Sequence, residues 1–253
     1  MKFTSLVALL GLAAGAPAFA APFVQNTNIP SVINAAPSGE QNLQTIVDGL
    51  FSPGHVNVNT DQSSAGMFAS STPSAASTIP TLVAEFTANA STQVFGIWFG
   101  TNTTNVVTYD LLKGGATAGD NAALSFSGNT LNVGTSVISS CGVRVNCGSF
   151  TNALVSPSSF GFYFKASPSS QTYYSLDQLN APDPRTDRVV SFRDGTSTNW
   201  VFAYEDGTDF DYNDMAVKVE SITVPVPEPE SYALMLAGLA AMGVVARRRR
   251  APR

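Results

Sequence analysis

Histidine, cysteine and charge are all scarce in this chain, and each scarcity removes a class of chemistry. His55 is the single histidine among 253 residues, so a multi-histidine zinc site is excluded and a Ser-His-Asp triad would have to run through that one residue. Gly-x-x-x-x-Gly-Lys-[Ser/Thr], Gly-x-Gly-x-x-Gly, Gly-x-Ser-x-Gly and Ser-x-x-Lys are all missing, which leaves phosphate cradles, nucleophile elbows and Ser-Lys dyads without support. Charged residues make up 12% of the chain, about half the globular average. Gly, Ala, Ser, Thr, Asn, Val and Phe dominate instead, a composition that suits short strands joined by polar turns.

Both ends read as addresses. Lys2, an apolar run from Phe3 to Ala14 and then Ala18-Phe19-Ala20 follow the order of charge, apolar stretch and small-residue site, predicting residues 1–20 as a secretory signal peptide cut before Ala21. A buried N-terminal helix is the competing reading. Near the other end, Val224-Pro225-Val226-Pro227-Glu228-Pro229-Glu230 reads as an extended spacer, because three prolines fix φ and remove backbone donors. Residues 232–246 are small and apolar, and Arg247-Arg248-Arg249-Arg250 follow. As a helix that stretch spans about 22 Å, short of the roughly 20 residues of a comfortable crossing, and it predicts a short transmembrane helix at 232–246. The arginine block stays cytoplasmic by the positive-inside rule, which puts the body outside the inner membrane.

Spacer, short apolar helix and arginine cluster over residues 225–253 together resemble the bacterial PEP-CTERM sorting tail, with Pro227, Glu228 and Pro229 as the sorting motif. The resemblance implies an exosortase-type membrane protease as partner, cutting near that motif and releasing or re-anchoring the protein. It also implies a membrane-anchored precursor that ends at the cell surface or in the exopolysaccharide matrix of a biofilm-forming Gram-negative bacterium. A permanent C-terminal anchor is the competing reading.

Residues 21–224 are long enough for one sizeable domain with its own core. They hold seven basic residues against sixteen acidic ones, a net charge of −9. An acidic body disfavours nucleic acid and anionic lipid as partners and favours cations and neutral sugars. Cys141 and Cys147 lie in an exported region where disulfides persist, and they predict a structural bridge closing a small loop. His55, after Pro53-Gly54, reads as a turn or strand-edge residue.

Leu43, Ile46, Val47, Leu50 and Phe51 recur at helical spacing, with Ser38 and Gln41 in a capping-box pattern, and predict a short amphipathic helix lidding an open end of a sandwich. Residues 61–80, rich in Ser, Ala, Thr and Pro, predict a long surface loop. Eight β-like runs follow: 82–86, 94–99, 106–112, 122–126, 160–164, 188–192, 200–204 and 215–224. Phe160, Phe162 and Phe164, like Trp200, Phe202 and Tyr204, alternate onto one face and are expected to be core. The fold class that results is mainly β, a β-sandwich of jelly-roll type with one N-terminal helix and the C-terminal transmembrane helix.

Between two of these runs, Glu205, Asp206, Asp209, Asp211, Asn213 and Asp214 place five carboxylates and a carboxamide in ten residues. Packed together they repel, and oxygen ligands at alternate positions are what a calcium ion coordinated by 6–8 oxygens requires. Asp209, Asp211, Asn213 and Glu220 fit positions one, three, five and twelve of an EF-hand. That reading fails because Asp214 stands where glycine is needed and Met215, Val217 and Val219 alternate as a strand. A β-hairpin metal loop remains, with a solvated acidic turn as its competitor, and Glu205, Asp206 or Asp214 either complete the shell or accept turn amides.

The run Glu205-Asp206 followed by Asp209-x-Asp211-Tyr212-Asn213-Asp214 and a strand resembles the DUF4114 type of domain found in secreted bacterial surface proteins, over residues 185–222. Leu43 to Asp48 and Phe95-Gly96-Ile97-Trp98 look like further positions of it. The resemblance implies a β-rich, calcium-binding domain without catalysis. Only Gly207-Thr208 separate the two acidic groups here, less than the longer Gly-rich loop common in such domains. The leading expectation is therefore a non-enzymatic, calcium-stabilised surface or matrix protein. A carbohydrate-binding module using Trp98, Trp200 or tyrosines is the alternative, and a glycosidase using Glu205 with Asp211 is the third reading.

Overall fold

A computed structural model describes residues 23–26, 32–76, 78–84, 90–168, 170–180, 188–225, 236–240 and 242. The predicted signal peptide lies outside the described residues, as do residues 226–235 and 243–253 of the sorting tail. Residues 236–240 and 242 are helical. No helix among the described residues is long and apolar enough to cross a membrane.

In chain order the elements are α1 (Leu43–Phe51), β1 (Ala69–Ser70), β2 (Ile79–Ala84), β3 (Val94–Asn102), β4 (Asn105–Leu112), β5 (Ala123–Ser127), β6 (Thr130–Gly134), β7 (Gly148–Thr151), β8 (Gly161–Lys165), β9 (Thr172–Tyr174), β10 (Val189–Arg193), β11 (Trp200–Tyr204), β12 (Met215–Glu220) and β13 (Ile222–Thr223). Two four-stranded sheets, ordered β10-β11-β12-β2 and β4-β3-β8-β9, are joined by a three-stranded sheet β5-β6-β7 and a short β1-β13 pair. Sequence neighbours pair in β3-β4, β8-β9 and β10-β11-β12, while crossovers bring β8 beside β3 and β2 beside β12. The mainly β class is borne out, and these strand orders do not establish the jelly-roll type.

The alternating aromatics build the core between the two large sheets. Phe95, Ile97 and Phe99 of β3, Phe162 and Phe164 of β8, and Trp200, Phe202 and Tyr204 of β11 share one buried cluster. Rings meet across the gap at 5.0 Å for Phe162–Phe202 and 5.1 Å for Phe164–Tyr204, and burying each such side chain contributes about 2 kcal/mol. Phe68, from the segment predicted as loop, stands edge-on to Trp200 and Phe202 at 5.1 Å.

Each large sheet is covered on its other face as well. Val190, Phe192, Val201 and Ala203 turn away from the aromatic core and pack with Leu43, Val47 and Phe51 of α1. The helix is thus a third layer lying on a sheet face, not a lid over an open end, because both faces of β11 are apolar. The predicted capping box does not form: Asn42 is the N-cap, and its side-chain oxygen accepts from Ala36 N–H at 2.7 Å instead of from the helix. Ser52, at φ 82°, ends the helix before Pro53.

On the outer face of the other sheet, bulk and absence of bulk are paired across strands. Trp98 lies opposite Gly161 and Tyr163 opposite Gly96 in the β3-β8 register. A Cβ at either glycine would run into the facing ring. Phe23 closes this layer, edge-on to Trp98 at 5.3 Å.

Short or interrupted strands account for the remaining differences from expectation. β1, β6, β7 and β9 are rich in Gly, Ser, Thr and Asn or only two to five residues long, so their side chains carry little alternation. Pro80 sits inside β2, at the edge of its sheet, where a missing N–H is tolerated. The run 215–224 breaks at Ser221, whose φ of 59° sends β13 to pair with β1. The bridge Cys141–Cys147 is formed and closes its loop.

Gly161→Ala is expected to cost about 1–3 kcal/mol through overpacking against Trp98. Gly134→Ala, where a Cβ meets nothing within 4 Å, should be near neutral. Equal thermal midpoints for the two variants would refute the paired-packing account.

Candidate functional site: an acidic hairpin loop

β11 enters the loop with Tyr204 facing the aromatic core, so the alternation turns Glu205 toward the α1 side of the sheet. Glu205 N–H continues the ladder to Arg188 O at 3.0 Å. The Glu205 carboxylate has no exposed surface and accepts two main-chain donors, Gly207 N–H at 2.6 Å and Tyr212 N–H at 3.4 Å. Phe210 and Tyr212 hold left-handed backbone, at φ 57° and 55°, a conformation costing about 1 kcal/mol or more per non-glycine residue. Tyr212 is anchored in the α1 cluster. Those two bends leave Asp211 between them, buried.

Three of the six sequence candidates come together: one carboxylate oxygen from each of Glu205, Asp209 and Asp211 lies within 4.8 Å of the others. That spacing matches oxygens placed about 2.4 Å from a common calcium ion. Asp211 Oδ1 accepts Asn213 N–H at 3.2 Å, while Asp211 Oδ2 and Asn213 Oδ1 are buried with no hydrogen-bond partner among the described residues. Two orphaned buried oxygens in residues only 1% exposed lack a donor, which costs about 1–3 kcal/mol each unless something positive meets them.

Asp206 and Asp214 take another part. Asp214 Oδ2 accepts Asp206 N–H at 2.6 Å, and Asp206 Oδ2 accepts from Gln93 Nε2 at 3.1 Å. These bonds close the neck of the hairpin. Asp214 thus takes the turn-amide role that was the alternative, as Glu205 does toward Gly207 and Tyr212, while Asp206 is held by a side chain.

Three participants carried no sequence signal. Arg188 Nη1 donates to Gly207 O and stands 4.0 Å from Glu205 Oε1, with its guanidinium over the Phe210 and Tyr173 rings at 5.1 and 5.6 Å. Gln93 holds Asp206. Glu40, just before α1, accepts from Asn213 Nδ2 at 3.3 Å. All are distant in sequence from the hairpin, so no local pattern could announce them. The His55 ring meets Asp194 at 3.3 Å and is largely exposed, and its main-chain N–H donates to Ser52 O, as expected of a turn residue.

The electrostatics follow from crowding. Burial, followed by the neighbouring charge of Asp209, pushes the Glu205 carboxyl up. Burial and then Asp209 and Glu40 do the same for Asp211. Burial, with the charges of Glu205, Asp206 and Asp209, pushes Asp214 up to about 8. In each case the folded chain binds a proton more readily than the unfolded one. Their contribution to stability is therefore full below the unfolded carboxylate range near pH 4 and is lost as pH rises through the folded values.

Without metal, the thermal midpoint should fall between pH 5 and pH 8.5, and Asp214→Asn should flatten that slope. A slope unchanged in the variant would assign the fall to other groups.

Comparison with known proteins bears on the tail. No curated protein and no solved structure matches the chain. Residues 225–250 match the PEP-CTERM protein-sorting motif, which marks an exported, membrane-anchored precursor processed by the membrane protease exosortase.

Proposed function

We propose that the exported body is a non-catalytic, calcium-binding β-sandwich serving at the cell surface or in an exopolysaccharide matrix, consistent with the DUF4114-like motif at 185–222 and with removal of residues 1–20. The observation that carries the metal reading is the convergence of Glu205, Asp209 and Asp211 beside two buried, unpartnered oxygens on Asp211 and Asn213. A divalent cation neutralises the mutual repulsion and satisfies those oxygens at once. A glycosidase assignment to Glu205 and Asp211 fits less well. Glu205 has no exposed surface, which leaves a sugar no approach to its carboxylate for proton transfer or attack.

Sugar binding is a second reading, moved from its expected place. Trp98 and Trp200 are 0% and 1% exposed, which removes them as stacking platforms. An open groove of about 750 Å³ lined by Phe23, Gln25, Ser70, Pro157, Ser158 and Pro225 instead offers a ring and hydroxyls together. Retention on the producing organism's exopolysaccharide, reduced in Phe23→Ala, is the expected result; no retention of the wild type would end this reading.

Calcium at a hundredfold excess over its Kd stabilises by about 2.7 kcal/mol, which for a domain of this size is a rise of roughly 5–10 °C. Thermal unfolding of the protein in calcium and in excess EDTA should show that rise, and the double variant Asp209→Ala, Asp211→Ala should not. Coincident wild-type curves at millimolar calcium would reduce the hairpin to a solvated turn.

A further inference from the structure

The chain leading into α1 is wrapped against the acidic hairpin by main-chain and amide contacts. Asn34 N–H donates to Phe210 O at 2.9 Å and Asn34 Nδ2 donates to Asp209 O. Asn213 Nδ2 donates both to Glu40 Oε2 at 3.3 Å and to Gln41 O at 3.1 Å. These two acceptors fix the orientation of the Asn213 amide, so that the buried, unpartnered atom is its oxygen. Segment 34–41 therefore sits over the same residues whose oxygens lack donors.

Ligand arithmetic then points outside the hairpin. Calcium takes 6–8 oxygens, whereas the convergent carboxylates are those of Glu205, Asp209 and Asp211, with Asn213 Oδ1 beside them. Asp206 and Asp214 are engaged at the neck. Glu40 is the further carboxylate at this place: its Oε2 already accepts from the buried Asn213 Nδ2 at 3.3 Å, its charge acts on Asp211, and its exposed side chain leaves the other oxygen room to meet an ion.

We propose that Glu40 is a calcium ligand supplied from outside the hairpin, so that the bound ion clasps segment 34–41, and with it α1, onto the outer face of the β10-β11-β12-β2 sheet. This rests on the calcium reading above. Helix docking then depends on the cation: the apolar contacts of Leu43, Val47 and Phe51 with Val190, Phe192, Val201 and Ala203 persist in its absence but open more often. The clasp makes calcium level a control on how much of that sheet face is exposed to the outside medium.

Calcium titration by calorimetry and hydrogen exchange at amides 43–51, on the exported protein and on Glu40→Gln, test this. Glu40→Gln keeps size and hydrogen bonding but removes the charge, and it should weaken calcium binding about tenfold. It should also abolish the calcium-dependent slowing of exchange in α1 while leaving the slowing at 205–214. Wild-type affinity and wild-type protection of α1 in the variant would overturn the clasp and leave the hairpin site standing. If the wild-type protein takes up no calcium, the site reading fails first and the clasp falls with it.

Discussion

Aromatic rings wedged between two twisted sheets hold every other feature in place. Phe68 approaches Phe202 at 5.1 Å, and Phe162 approaches Phe202 at 5.0 Å, so the two sheets and the chain between β1 and the helix layer meet at one cluster. Such rings contribute through buried area and through edge-on geometry, and neither survives if a strand slips by one residue. The register of β11 is therefore pinned along its whole length. That same register turns Glu205 to the α1 side, because the chain has just placed Trp200, Phe202 and Tyr204 inward.

A pinned β11 and β12 leave the ten residues between them little freedom, and the loop resolves the constraint at an electrostatic cost. Two left-handed residues, Phe210 and Tyr212, fold Asp211 into the protein, and the buried Glu205 ends against main-chain amides. Arg188, held between the Phe210 and Tyr173 rings, reaches Glu205 and Gly207 but not the orphaned oxygens of Asp211 and Asn213. The loop is thus organised around negative charge with compensation on one side only. Left-handed backbone, desolvated carboxylates and two unpartnered acceptors coincide in this one loop, and it is on that coincidence that the proposed metal reading rests.

The parts of the fold that could be read from residues are those in which period-two alternation uses large side chains. β3, β8 and β11 announce themselves through Phe95, Phe99, Phe162, Phe164, Trp200 and Phe202. β6 and β7 do not, since Thr130, Asn132, Gly148 and Ser149 look like turn residues whether or not a ladder forms. Ser221 hides a change of sheet inside an unbroken alternating run. The capping-box pattern at Ser38 and Gln41 was locally plausible, but the segment's amide contacts go to the hairpin and Asn42 starts the helix. Tertiary bonding outweighed a cap that is worth about 1 kcal/mol.

What the residues by themselves determined is whatever acts through neighbours in the chain. The sorting motif at 225–250 is read as a linear signal, the Cys141–Cys147 bridge spans six residues, and the acidic cluster lies within one hairpin. Tertiary structure alone decided which carboxylates converge, that Asp206 and Asp214 close the neck, and that Trp98 and Trp200 are core. It also brought Glu40 to Asn213, 173 residues away, and Arg188 to Glu205. Contacts of that kind depend on how helix, sheets and loop pack against one another, and local sequence carries no record of it because the energy resides in the assembled layers.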